Sequence, residues 1–208
     1  AADDLNLAVS LCLIRPEETD GVRVPAALSR IPFDGILATT PRVGDLTPLA
    51  RMGPTVLMGS VPSRDYGLPS VEPDNAAGMQ ALVDHLLSLG HRRLEFVPSS
   101  LGHPPYRERA DAFESLVRHR RIEGRVAGPV EGDPGPYAAA FARRDPGRRP
   151  TALLVSSDGT AVQLLHALLG QGVRVPQDVS VVGFDGRAWG RDSVPPLTSW
   201  HPNWTDLG

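Results

Sequence analysis

The sequence predicts an α/β fold in which helices cover sheets of parallel strands. Short apolar runs alternate with amphipathic stretches of helical length along most of the chain. The run over residues 179–184 has almost no polar residue, as a strand buried on both faces requires. Gly172 ends the amphipathic stretch before it, and Pro176 prevents that helix from resuming. Strands and helices that alternate in this way are typical of crossover units and a parallel sheet.

The first third of the chain predicts a βαβ-like arrangement. Apolar residues at alternate positions indicate its first strand, and Asp45 is expected to cap its second helix. The stretch 60–70 contains two prolines and a glycine and predicts a loop. The predicted elements are a strand over residues 5–13, a short helix near 25–31, a strand over 35–39, a helix over 46–52 and a strand over 55–58.

From Asp74 onward the pattern is regular. Asp74 or Asn75 is expected to cap a helix that Gly90 ends, because apolar residues between them recur at helical spacing. The elements that follow are a strand over 94–97, a helix over 106–120, a weaker strand over 126–130, a helix over 137–144, a strand over 152–155, a helix over 160–169 and a last strand over 179–184.

Polar side chains follow several of the predicted strands. Ser157 and Asp158 come after one strand and Asp185 after another, and Arg109 lies in the first turns of a helix after a third. In an open parallel sheet, ligands bind beyond the carboxyl ends of the strands, so these groups are candidates to hold a small polar ligand. Alternatively, Asp185 caps a turn, or Arg109 pairs with Asp185 or Asp158 as a structural ion pair. Such a pair can also orient both groups for a ligand.

Composition excludes several functions. The 208 residues carry a net charge of −3, which argues against this chain itself wrapping nucleic acid. All 21 basic residues are arginine, so lysine Schiff-base chemistry is excluded, and Cys12 is the single cysteine. No apolar run approaches the ~18 residues of a membrane span. Catalytic motifs are absent and the six histidines are scattered, so neither an enzyme, a metal site nor a cofactor is expected.

Several motifs in order resemble the lactose-repressor (LacI/GalR) family of bacterial transcription regulators. Together they cover roughly residues 34 to 208, and their number makes the resemblance specific. They are Asp-Asn-x-x-Gly at 74–78, His-Leu-x-x-Leu-Gly-His-Arg-Arg at 85–93, Arg-x-Arg-x-x-x-Phe at 107–113, Pro-Thr-Ala at 150–152, Ser-Asp at 157–158, Gly-x-x-Val-Pro-Gln-Asp-Val-Ser-Val-Val-Gly-Phe-Asp at 172–185 and Pro-Pro-Leu-Thr-Ser at 195–199.

The resemblance implies an effector-binding domain of the two-lobed, periplasmic-binding-protein (type I) fold. The amino-terminal lobe would span about 1–71 and resume at about 200–208, and the carboxy-terminal lobe would span 72–199. A small polyhydroxylated molecule such as a sugar would bind Arg109 and Asp185, with Trp204 packed on its apolar face. Ser157 stands where many members carry Asn or Asp before Asp158, so one polar contact is expected to be shorter or missing.

The resemblance also implies partners outside this chain. The family's helix-turn-helix headpiece, which binds operator DNA, would precede residue 1, and the amino-terminal lobe is expected to be truncated and less stable than the other. A cytoplasmic homodimer without a membrane partner is expected for the intact protein. The alternative is a periplasmic sugar-binding receptor of a transport system, which has the same fold.

Overall fold

A computed structural model describes residues 30–39, 46–59 and 67–203, together with Ala8 and Ser10. The chain divides into two compact units, one formed by Ala1–Pro73 with Asn203–Gly208 and the other by Asp74–Pro202. The lobe boundaries expected at 71/72 and 199/200 stay a prediction.

The second unit contains a five-stranded parallel sheet. Its strands are β4 (Arg93–Val97), β5 (Glu123–Val126), β6 (Ala152–Val155), β7 (Ser180–Phe184) and β8 (Thr198–Trp200). Their order in the sheet is β5-β4-β6-β7-β8, and every neighbouring pair is parallel. The chain leaves β4 for the outer strand β5 and then returns to β6 on the other side of β4. The direction of winding therefore reverses between β4 and β6, which is where open parallel sheets bind ligands.

Helices cover both faces of this sheet. Alternation along the strands assigns each side chain to a face: Phe96 and Leu154 pack with one helix pair, whereas Val97 and Leu153 pack with the other. The first pair is α2 (Asn75–Ser88) and α3 (Pro104–Arg120), and the second is α4 (Gly135–Ala142) and α5 (Asp158–Gly170). A short helix, α6 (Ala188–Arg191), follows β7.

The first unit contains a smaller parallel sheet in the order β1-β2-β3. Its strands are β1 (Ile36–Ala38), β2 (Thr55–Met58) and β3 (Ser70–Val71), and its described helix is α1 (Thr47–Ala50). Leu46, Leu49 and Leu57 form its buried cluster. The predicted α/β class, with parallel sheets flanked by helices, is therefore confirmed.

Several predicted elements need correction. The weaker strand expected over 126–130 is β5 at Glu123–Val126, because the ladder with β4 begins at the Arg93–Glu123 pair and Gly128 and Pro129 lie beyond its end. Strand β8, strand β3 and helix α6 were not predicted. Helix α3 begins at Pro104 rather than 106, since proline is accepted in the first helical turn.

Other predictions fall outside the described residues. They are the strand over 5–13 apart from Ala8 and Ser10, most of the helix near 25–31, the cap at Asp45 and most of the loop over 60–70.

Candidate functional site

Hydroxyl groups cluster where β4 and β6 end. The Ser99 hydroxyl lies 2.7 Å from the Ser156 hydroxyl, 3.3 Å from that of Ser157 and 2.6 Å from that of Thr160. The Ser99 backbone amide also donates to Ser156 Oγ at 2.8 Å. These strands flank the point where the winding of the sheet reverses, so the cluster lies where the chain connectivity opens a crevice.

Arg109 of α3 is buried, with 4% of its side chain exposed, and each guanidinium nitrogen has a partner. Its Nε donates to Asn75 Oδ1 at 2.8 Å, and its Nη1 donates to the Ser156 carbonyl oxygen. Its Nη2 lies 3.3 Å from Asp185 Oδ1. The guanidinium also stacks on Phe184, with Cζ 3.6 Å from the ring centroid. The side chain is thus fixed by groups from α2, β6 and β7.

Asp185 follows β7 and is the more accessible member of this ion pair, with 21% of its side chain exposed. Its φ of 106° lies in the left-handed region that non-glycine residues rarely adopt. Its backbone amide donates to the Trp200 carbonyl oxygen at 2.9 Å, which anchors this conformation. Burial raises the pKa of the Asp185 carboxyl above its ordinary value, although the Arg109 guanidinium opposes that rise.

Asp158, in contrast, is completely buried and both of its oxygens accept hydrogen bonds. Oδ1 accepts from Ser199 Oγ at 2.5 Å, and Oδ2 accepts from the Arg187 backbone amide at 2.6 Å. Burial raises the pKa of Asp158, and these two hydrogen bonds partly offset the rise. The Ser199 hydroxyl also accepts from the Gly186 amide at 3.1 Å, so Asp158 and Ser199 together fix the loop that begins at Asp185.

Ser157 is the N-cap of helix α5, and its hydroxyl accepts from the Thr160 amide. The same oxygen is within hydrogen-bonding distance of Ser99, so Ser157 joins the helix cap to the hydroxyl cluster. Its side chain is nearly buried, at 9% exposure.

His103 stands at the N-cap position of α3, but its side chain makes no capping hydrogen bond. Its Nδ1 atom is buried without a hydrogen-bond partner, and its ring lies 4.4 Å from that of Tyr106. Burial lowers the pKa of His103, and the nearby Arg109 charge lowers it further, so the neutral ring is favoured.

The structure brings four of the five predicted site residues into one region: Arg109, Asp185, Ser157 and Asp158. The fifth, Trp204, lies outside the described residues. Sequence reasoning missed Asn75 as a partner of Arg109 and Ser199 as a partner of Asp158. Asn75 belongs to a motif singled out above, but its pattern suggested only a helix cap.

The described part of the chain contains neither a metal cluster nor a membrane-spanning helix. Over residues 30–39, 46–59 and 67–203, no group of three or more His, Cys, Asp or Glu side chains is arranged to hold a metal ion. Within the same ranges, no helix combines the length and hydrophobicity that crossing a bilayer would require.

A doubly wound parallel sheet, with an arginine–carboxylate pair at the carboxyl ends of its strands, is the architecture in which open α/β domains bind ligands. More particularly, the chain belongs to the periplasmic binding protein-like domain family, whose model matches residues 83–208. This confirms the predicted resemblance to the effector-binding domain of lactose-repressor-type regulators.

Comparisons with individual proteins agree with this assignment. The chain is 34% identical over 140 residues to the transcriptional regulator MalR of Streptomyces coelicolor, covering 63% of this chain and 40% of that protein. It superposes on the lac repressor dimer bound to operator and the anti-inducer ONPF with a TM-score of 0.77 at 20% identity, over 99% of this chain and 73% of that one. For a LacI-family regulator from Lactobacillus casei with bound glucose, the TM-score is 0.69 at 23% identity, over 83% and 67% of the two chains. The chain spans less than half the length of the curated relatives it matches.

Proposed function

We propose that this chain is the effector-binding part of a bacterial DNA-binding transcription regulator, and that its effector is a small polyhydroxylated molecule such as a sugar. The single observation that supports this most strongly is the Arg109–Asp185 pair at the carboxyl ends of the strands. The family match supports a ligand-binding domain, and the relatives found by sequence are named as transcriptional repressors and regulators. Those names favour a regulator over a transport receptor or an enzyme.

The chemistry of the pair suits vicinal hydroxyl groups. The Asp185 carboxylate accepts hydrogen bonds from hydroxyls, and the Arg109 guanidinium retains N–H groups beyond the three that its present partners use. Because its neighbours fix Arg109, little side-chain entropy is lost when a ligand binds. Asp158 already accepts two hydrogen bonds, so its proposed contribution is to hold the Asp185 loop in position. Ser157 contributes a hydroxyl, and Trp204 is proposed to pack on the apolar face of the ligand.

A calorimetric titration tests the proposal. After a thermal-shift screen of pentoses, hexoses, disaccharides and nucleosides has identified a ligand, its Kd is measured with the unchanged chain and with Asp185→Ala. Loss of a charged acceptor should weaken binding by about tenfold or more while the fold is retained. The matched control is Asp111→Ala, which removes an exposed carboxylate from α3. Unchanged affinity in Asp185→Ala, or an equal loss in the control, contradicts the proposal.

The proposed partners follow from the regulator assignment. Operator DNA would be bound through a helix-turn-helix segment, and two copies of the protein would form a homodimer, as in the lac repressor dimer bound to its operator. A role in transcription entails a cytoplasmic location. Gel filtration of the protein joined to such a segment tests the homodimer. Operator-binding measurements with and without the effector test the regulatory role, and an operator affinity that the effector leaves unchanged contradicts it.

A further inference from the structure

A groove rich in arginine lies at the amino ends of the strands of the large sheet, whereas the Arg109–Asp185 pair lies at their carboxyl ends. Its walls are the first residues of β4 and β5, the turn after α4 and the segment that leads into β6, and its volume is about 450 Å³. This is the size of a small-metabolite site. Five arginines line it: Arg93, Arg125, Arg144, Arg148 and Arg149. The acidic lining residues are only Glu123 and Asp145.

Two of these arginines are held in place by Glu95, a carboxylate of β4 whose side chain is 1% exposed. Glu95 lies directly across from Arg125 in the β4–β5 ladder, and Arg125 Nη2 donates to both of its oxygens at 3.2 and 3.0 Å. Arg144 Nη1 donates to Glu95 Oε2 at 2.6 Å. The Arg144 guanidinium also lies 5.3 Å from the Tyr137 ring and 5.2 Å from the Phe141 ring. One buried carboxylate thus fixes two guanidinium groups at the wall of the groove.

The remaining arginines are compensated less completely. Arg148 is 91% exposed and its nearest carboxylate, that of Asp145, is 3.9 Å away. Arg149 is largely buried, and its Nη2 lies 4.0 Å from Asp178 Oδ1. Arg93 Nε donates to the Arg149 carbonyl oxygen at 3.1 Å, which leaves its terminal nitrogens for another acceptor. The five guanidinium groups outnumber the four carboxylates near them, which are Glu95, Glu123, Asp145 and Asp178, and this excess of positive charge favours entry of an anion.

We propose that this groove binds the phosphate group of a small phosphorylated metabolite. Guanidinium forks match phosphate oxygens, and three oxygens can accept from several arginines at once. A phosphate ion alone would leave much of the groove unfilled, so an organic group attached to the phosphate has room beside it. This site is separate from the proposed effector site and does not depend on that assignment.

Calorimetry at constant ionic strength tests this proposal, with glucose 6-phosphate, glucose and inorganic phosphate as probes. The unchanged chain should bind glucose 6-phosphate saturably and more tightly than inorganic phosphate. Arg148→Gln and Arg125→Gln should each weaken that binding by about ten- to a hundredfold, the effect of losing one charge-assisted contact. Because Arg148 is so exposed, its replacement tests binding without endangering the fold.

Two controls distinguish binding in the groove from a general effect of surface charge and from binding at the proposed effector site. Arg118→Gln removes the same charge from a 68% exposed site on α3 that does not line the groove, and it should leave binding unchanged. Glucose, which lacks the phosphate, should lose no affinity in Arg148→Gln or Arg125→Gln. The proposal is overturned by absence of saturable binding of glucose 6-phosphate, by an equal loss in Arg118→Gln, by an equal loss of glucose binding in Arg148→Gln, or by inorganic phosphate binding as tightly as glucose 6-phosphate.

Discussion

Arg109 and Asp185 form an ion pair whose two members differ in accessibility. Arg109 is almost completely buried and has partners from three elements, whereas Asp185 retains partial exposure. Burial lowers the pKa of Arg109 and raises that of Asp185, so each charged form is disfavoured by desolvation and stabilised by the other. The pair is therefore both a structural contact and a group suited to binding, and the two roles do not exclude each other.

The raised pKa of Asp185 leads to a prediction about pH. Only the ionised carboxylate accepts hydrogen bonds with both oxygens, so ligand affinity should fall as pH decreases through the raised pKa. That fall should begin above pH 3.8, the ordinary value for an aspartate. Kd measured by calorimetry between pH 7.5 and about 4.5 checks this expectation.

Two comparisons assign that pH effect to Asp185. In Asp185→Asn the affinity should be weaker and should depend less on pH in the acidic range. The Asp158 carboxyl, whose pKa is also raised by burial, still titrates in this variant and accounts for any remaining dependence. A wild-type affinity with the same dependence on acidic pH as that of Asp185→Asn would contradict the prediction.

Helix α2 closely approaches the base of the site. A Cβ added at Gly78 would lie 2.5 Å from Phe184 Cζ and 2.8 Å from Trp200 Cδ2, distances too short for real contacts. Phe184 is the ring on which Arg109 stacks, and its centroid is 4.6 Å from that of Trp200. Because position 78 has no side chain, Phe184 and Trp200 can pack directly against α2, and Arg109 stacks on Phe184 in this position.

Gly78→Ala should consequently destabilise the chain. Overpacking of this kind lowers the free energy of unfolding by about 1–3 kcal/mol, which exceeds the helix propensity gained by replacing glycine. Gly170→Ala is the matched control, because Gly170 lies in α5 with no atom within 4 Å of its added Cβ. That change should raise the free energy of unfolding by about 0.5–1 kcal/mol. Urea denaturation of both variants measures the difference, and a Gly78→Ala protein as stable as wild type would refute it.

The sequence allowed the elements of the second unit to be predicted where apolar periodicity was long, as in α2, α3 and α5. Prediction failed where pairing rather than local pattern determines structure. Strand β8 is three residues long and is a strand because it pairs with β7, and β5 is set by its register with β4. At the site, the strand ends indicated that Asp185 lies near Arg109, as it does, and its role in binding stays a prediction. The Ser199–Asp158 hydrogen bond joins residues 41 positions apart, so no local sequence pattern could predict it.

At the scale of the whole molecule, the buried clusters of the described residues differ in size between the two units. Among the described residues, the first unit buries three apolar side chains in one cluster, whereas the second has clusters of thirteen and twelve. Strand β2 buries two of its four residues, whereas β6 buries all four, so β2 should open more readily.

Hydrogen exchange measured by mass spectrometry tests this difference. Backbone amides of β2, Thr55–Met58, should exchange faster than those of β6, Ala152–Val155, although both are central strands of parallel sheets. Peptides from these two strands are compared within one sample, so each serves as the control for the other. Equal protection of the two strands would contradict this expectation.

The left-handed backbone of Asp185 has a consequence for protein engineering. A residue held at such a φ costs on the order of 1–3 kcal/mol, and glycine would remove that cost. The same change would leave the buried Arg109 guanidinium without its carboxylate, a loss of about 3–5 kcal/mol. Directed evolution for heat resistance alone should therefore keep the aspartate. Its presence in a robust variant would say nothing about ligand response, which has to be selected separately in every round.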